Sequence, residues 1–165
     1  MKLKFNIIKT FITLNCLAIL NGCLSIAKLS DFPKTSTAIN FDKYSMEYQE
    51  ESEPYWTAKT SNEYYFERRD TISEIILTDI IKKAMMYEGY AINEIDLVND
   101  YVLGKRGMYA NEWSSITGVY YKLDPERNRI QIYINTKITQ DITGGWSENR
   151  SKKVGLQIEK RIDSK

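Results

Sequence analysis

The chain has 165 residues, with 23 Lys and Arg against 22 Asp and Glu, no histidine and two cysteines. Without histidine there is no Ser-His-Asp or Cys-His catalytic set and no imidazole metal ligand, and two cysteines support neither a disulfide-rich scaffold nor a four-cysteine zinc site. A formal charge of +1 gives no field that would concentrate nucleic acid, so no nucleic-acid partner is expected, and the length fits one domain with short extensions.

The first nine residues carry Lys2, Lys4 and Lys9, and a mostly apolar stretch from Phe11 to Leu20 follows before Asn21-Gly22-Cys23. A basic start, a short apolar core and a small-residue boundary are the pattern of an export signal. Ten helical residues rise about 15 Å, roughly half the hydrocarbon thickness of a bilayer, so cleavage is expected rather than a permanent span.

Leu20-Asn21-Gly22-Cys23 resembles the lipobox of bacterial lipoproteins, with Asn21 standing where a small residue is usual. The resemblance implies that cleavage falls between Gly22 and Cys23. It further implies that Cys23 carries diacylglycerol through its thiol and an acyl chain on its new amino group, with no other cofactor expected. Leu24 stands where Asp would hold such a protein at the inner membrane, so the resemblance implies the periplasmic side of the outer membrane. Inner membrane and cell surface are the alternatives. Loss of residues 1–22 removes Lys2, Lys4, Lys9 and Cys16, turning the formal charge from +1 to −2.

Residues 23–62 are read as a lipidated tether. Pro33 and Pro54 interrupt them, Glu47, Glu50, Glu51 and Glu53 form an acidic run, and no strong period emerges. A flexible chain of that length would reach roughly 35 Å. Because Phe41, Tyr44, Met46, Tyr48, Tyr55 and Trp56 lie within it, wrapping around its own domain is as good an expectation as disorder.

A domain is expected over residues 63–165. Tyr64-Tyr65-Phe66 favours a short strand. Thr71-Ile72-Ser73-Glu74 has the capping-box pattern and opens a helix whose apolar stripe is read as Ile72, Ile75, Ile76, Ile80, Ala84 and Tyr87, with Gly89 as its left-handed C-terminal cap. Residues 90–106 fit two strands or one bent strand. Residues 115–123 read as a strand, 124–128 as a turn around Pro125, and Ile130, Ile132, Ile134 and Ile138 alternate with polar residues along another. Ser147 is placed as the cap of a closing helix in which Val154, Ile158 and Ile162 repeat every four residues, with Gly155 weakening it. The expected fold is α+β, a small antiparallel sheet of three to four strands packed with two helices. This element order is similar to that of helix-grip domains in some envelope lipoproteins, with no motif behind the similarity.

Ser25-Ile26-Ala27-Lys28 has the Ser-x-x-Lys spacing of penicillin-recognising enzymes but lacks their companion motifs. The acidic run lacks the central Gly of a calcium loop, and Gly144-Gly145 lacks a phosphate-loop Lys, so neither a catalytic nor a metal residue is assigned. Tyr120, Lys122, Arg129, Tyr133 and Lys137 would share one face if the two strands around Pro125 pair, and these five are the candidate binding face. The expectation is a non-enzymatic lipid-anchored envelope lipoprotein, held to a membrane by its lipid and engaging an envelope protein partner. The alternatives are a carboxylate-dependent cell-wall glycan hydrolase and a carrier of an apolar ligand.

Overall fold

The computed structural model describes residues 27–49, 61–108, 114–139 and 149–165; Gly22, Cys23, the Gly144-Gly145 pair and Ser147 lie outside them. Among the described residues there are three α-helices, α1 (Phe41–Glu47), α2 (Glu74–Tyr87) and α3 (Arg150–Asp163). Five strands accompany them: β1 (Ser61–Arg69), β2 (Ala91–Asp96), β3 (Tyr101–Arg106), β4 (Ser115–Asp124) and β5 (Arg129–Ile138).

The strands form one antiparallel sheet in the order β1-β5-β4-β3-β2. The α+β class therefore holds, but the sheet has five strands rather than three to four. The extra strand arises because residues 90–106 fold as a hairpin. Asp96 accepts the Asn99 N–H at 3.0 Å, and Asp100 takes a left-handed φ of 55°, so the chain reverses within four residues. The β4–β5 turn is built similarly, with Asp124 accepting from Arg127 N at 3.2 Å and Asn128 at φ 48°. Strands β1 and β2 occupy opposite edges, and α2 carries the chain from one to the other across a single face.

That face holds the larger core. Ile130, Ile132 and Ile134 of β5, with Val119 and Tyr121 of β4 and Val102 of β3, meet α2 and α3. In α2 the buried stripe is Leu77, Ile80, Ile81, Ala84 and Met85, the i, i+3, i+4, i+7, i+8 pattern of a core-facing helix. The stripe expected from the sequence is rotated from this one. Ile75 is 73% and Tyr87 68% exposed, and Ile76 is exposed too. The helix is apolar on two sides in its first half, so periodicity alone does not fix which side meets the sheet. The capping box is not formed either: Ser73 is the N-cap and makes no side-chain cap bond. At the other end Gly89 (φ 84°) terminates the helix as its position suggests. Its N–H bonds Met86 O, and Tyr90 N–H bonds Met85 O, each at 3.0 Å, the double closure of a Schellman motif.

Asn149, not Ser147, caps α3, accepting from Lys152 N at 2.9 Å. Val154, Ile158 and Ile162 are buried at their four-residue spacing. A Cβ on Gly155 would fall on the Tyr64 ring, so this glycine sets the depth to which α3 seats on β1. Ordinarily Gly→Ala within a helix gains about 1 kcal/mol. At Gly155 the overlap reverses the sign, and Gly155→Ala is expected to lose about 1–3 kcal/mol in urea denaturation.

Of the two courses open to the tether, residues 27–48 take the wrapped one and pack on the sheet of the following domain. They lie as a strap across the sheet face opposite the two long helices. Phe32, Phe41, Tyr44 and Tyr48 pack there against Tyr65, Tyr101, Leu103, Ile116, Tyr120 and Tyr133. The strap includes α1, whose cap Asn40 accepts from Lys43 N at 2.9 Å. A Cβ at Gly118 would meet Phe32, Leu103 and Tyr120 side chains at 2.9 Å each, so Gly118 is the dent in the sheet that receives Phe32.

Candidate functional site

Cross-strand register settles how the five candidate residues are placed. Tyr120 pairs with Tyr133, Ile116 with Lys137, and Asp124 with Arg129. With side chains alternating along each strand, all five project to the strap side. The arrangement is therefore one face, but it is divided by the strap. Tyr120 (0% exposed) and Tyr133 (5%) are buried beneath it, and Lys137 lies at its edge, with Nζ donating to Asp31 O at 3.2 Å and standing 5.2 Å from the Phe32 ring centroid. Lys122 is exposed and Arg129 partly so, both beyond the strap towards the β4–β5 turn.

The strap is held by polar bonds as well as by rings. Glu63 of β1 is the hub: its Oε1 accepts from Tyr133 Oη at 2.7 Å and from Asn135 Nδ2 at 3.2 Å, and its Oε2 accepts from Tyr44 Oη at 3.2 Å. Glu67 Oε2 accepts from Ser45 Oγ at 2.9 Å and Tyr65 Oη at 3.0 Å, while buried Gln131 Nε2 donates to that same Tyr65 oxygen at 3.0 Å. Farther along, Tyr120 Oη donates to Pro33 O at 3.0 Å, and Ser36 N to Asn99 O at 2.8 Å. Lys34 pairs with Glu94 at 2.5 Å. The Tyr44 and Tyr133 rings lie 4.5 Å apart between centroids, tilted by 35°.

Burial dominates the acid–base chemistry of this layer. It holds the Tyr133 phenol far above its usual range, the Tyr44 hydrogen bond and Glu63 carboxylate adding to it. Tyr120 is raised strongly by burial, with Tyr101 and Glu94 secondary. On the other face Tyr121 is pushed up to about 12, again by burial, against the opposing hydrogen bond from Thr78. These phenols are therefore neutral hydrogen-bond donors at physiological pH. Glu63 and Glu67 are occupied by phenol and hydroxyl donors, which makes them fasteners of the strap.

Arg129 belongs to a second feature. At the β4–β5 turn, Arg68, Arg69, Arg127 and Arg129, with Glu67 and Asp70, line an open cleft of about 750 Å³. Arg129 makes only long ion pairs, 3.7 Å to Asp124 and 3.8 Å to Glu67, and its buried Nε has no hydrogen-bond partner. Arg68 is committed elsewhere, to Asp163 at 2.8 Å. Sequence reading included Arg129 in the candidate face but missed Arg69 and Arg127, which reach this cleft from the β1 end and the turn. It also missed Glu63, Glu67 and Phe32, while Tyr44 was among the aromatic residues expected to let the tether wrap its domain. The spacing Phe41, Tyr44, Tyr48 carries a helical signal for the strap, short but present.

No group of three or more carboxylates or cysteines placed to hold a metal ion occurs among the described residues. No described helix is long and apolar enough to cross a membrane. Compared with known proteins, the chain matches no protein-family model and no curated protein.

Proposed function

We propose that the chain is a lipid-anchored envelope lipoprotein whose domain serves as a non-enzymatic interaction module facing the periplasm from the outer membrane. The observation that supports this most is a spacing. Cys23 of the lipobox-like sequence stands four residues before Ala27, and Ala27 is already in the folded body, buried, with its N–H donating to Ile138 O at 3.2 Å. Four residues span at most about 14 Å. The lipid would thus hold the domain against the bilayer instead of on a long leash, concentrating it for neighbours on the same surface. The β4–β5 turn, at the opposite end of β5 from Ile138, would then be the part presented to an envelope protein partner. Its arginine-lined cleft suits carboxylate groups on that partner.

The test is the intact mass of protein recovered from bacterial membranes, wild type against Cys23→Ala. The expected wild-type mass is the chain from Cys23 plus acyl groups, absent in the variant. Each buried acyl CH₂ contributes about 0.8 kcal/mol, so two or three chains should also keep the wild type in the membrane pellet through salt washing. An unlipidated wild-type mass would overturn the proposal.

A further inference from the structure

Strand register sets two arginines side by side at the β4–β5 turn. Arg69, the last residue of β1, lies directly opposite Arg129, the first of β5, and both project to the strap side, beyond the strap itself. Directly opposed residues of an antiparallel pair have Cβ atoms about 5 Å apart, and like charges so placed are unfavourable. Asp124, opposite Arg129 on β4, and Glu67 of β1 share this face. Neither completes the pairing. They stand 3.7 Å from Arg129 Nη2 and 3.8 Å from Arg129 Nη1, beyond hydrogen-bond distance, and Asp124 Oδ2 is also 3.8 Å from Arg127 Nε. Both carboxylates are engaged already: Glu67 Oε2 takes the Ser45 and Tyr65 hydroxyls, and Asp124 Oδ1 takes the Arg127 backbone N–H. Among the described residues Arg69 makes no ion pair or side-chain hydrogen bond, and the buried Arg129 Nε has no partner. Arg68 and Asp70 of the same cleft are turned to Asp163 at 2.8 Å and Lys165 at 3.7 Å. Cations and carboxylates are close to balanced in number on this surface, Glu126 of the turn included, so no net field draws a ligand here. What is left over is donor capacity, the guanidinium forks of Arg69, Arg127 and Arg129 around the cleft.

We propose that this cleft is a carboxylate-binding site, in which a carboxylate of the envelope protein partner seats between Arg69 and Arg129 with Arg127 at the rim. The inference rests on the interaction-module reading and gives its partner a chemistry. A guanidinium offers parallel N–H donors that match the two oxygens of a carboxylate, so one carboxylate takes a bond from each arginine and screens each cation from the other. A phosphate monoester would fill the same donors, but its extra negative charge would face Glu67, Asp124 and Glu126. A single charge avoids that repulsion. Arg69 ends an edge strand and Arg127 lies in a turn, both exposed, so an acidic side chain or a chain terminus reaches the cleft without displacing the strap.

The experiment uses protein recovered from bacterial membranes in a neutral detergent, with isotope-labelled arginine, and follows the arginine Nε–H resonances by NMR at constant ionic strength. The probes are a glutamate-rich peptide blocked at both ends, an alanine peptide with a free C-terminal carboxylate, and inorganic phosphate. Saturable shifts at Arg69 and Arg129 are expected with at least one peptide, and weaker binding with phosphate. Response to the blocked peptide alone assigns the site to acidic side chains, and response to the free terminus alone to a chain end. Arg69→Gln and Arg129→Gln should each weaken the peptide about tenfold, while Lys82→Gln on α2 leaves it unchanged. Arg69→Gln decides the matter even when Arg129→Gln fails to fold: Arg69 is exposed and unpaired, so the variant should keep the wild-type unfolding midpoint and still lose the peptide. No shift at millimolar peptide, tighter binding of phosphate than of either peptide, or full affinity in Arg69→Gln overturns the site. Acyl chains in the intact mass without these shifts overturn the site and leave the anchor standing. Shifts in a protein without acyl chains overturn the anchor and leave the site.

Discussion

Phe32→Ala is expected to lower the stability of the domain by about 3–5 kcal/mol, although Phe32 belongs to a stretch whose composition reads as linker. Its ring is 3% exposed, seated in the dent left by Gly118 and bordered by Leu103, Ile116 and Tyr120. Truncation removes the apolar contacts and leaves a cavity that Tyr120 cannot fill, since its hydroxyl is tied to Pro33 O. At about 3 °C per kcal/mol for a chain of this size, the midpoint of thermal unfolding should fall by about 10–15 °C. A second reading of the same experiment separates weak packing from a detached strap. If the strap comes away in the variant, the native state already exposes the tyrosine layer, and the urea m value falls along with the midpoint. If residues 27–48 were a loose tether, both quantities would match wild type.

What the sequence disclosed and what it hid follow from how local each signal is. The alternation of Ile130, Ile132 and Ile134 and the turn around Pro125 lie within about ten residues of one another, and they suffice to put Tyr120 opposite Tyr133 and all five candidate residues on one face. Gly89 was legible for the same reason, because a helix end is decided by its own few residues. That the wrapping segment would cover this face, and through which contacts, was not legible. It is supplied by a segment 87 residues away from Tyr120, bound through a backbone carbonyl that carries no sequence signature. Gln131, Asn135 and Glu63 made the face look solvated, whereas they form the polar seam between sheet and strap. The stripe on α2 failed for another reason: two apolar faces compete in Glu74–Ile81, and only packing against α3 and the sheet chooses between them.

The tyrosine layer gives the second large effect, a steep loss of stability in alkali. A phenol whose folded pKa is raised above the unfolded value of about 10 contributes nothing to pH dependence while both states are protonated. As pH rises past about 10 the unfolded chain releases its phenolic protons and the folded chain keeps them, so the unfolded state is favoured and stability falls. Tyr120, Tyr121 and Tyr133 are all raised in this sense by burial. Each subtracts up to about 1.4 kcal/mol per pH unit, together about 4 kcal/mol per unit between pH ~10 and ~12, which is enough to unfold a domain of ordinary stability before pH 12. Urea denaturation followed by circular dichroism from pH 8 to about pH 11.5 should show a plateau and then this decline. Phenolate absorbance of the buried group should appear with unfolding and not ahead of it. Tyr133→Phe separates the ionisation from the hydrogen bond. Losing the donor to Glu63 should cost about 1 kcal/mol at neutral pH, yet the alkaline slope should flatten by up to about 1.4 kcal/mol per pH unit, because one of the phenolic protons released on unfolding no longer exists. A slope unchanged by Tyr133→Phe would show that this phenol already ionises in the folded protein, and hence that the strap does not seal it from water.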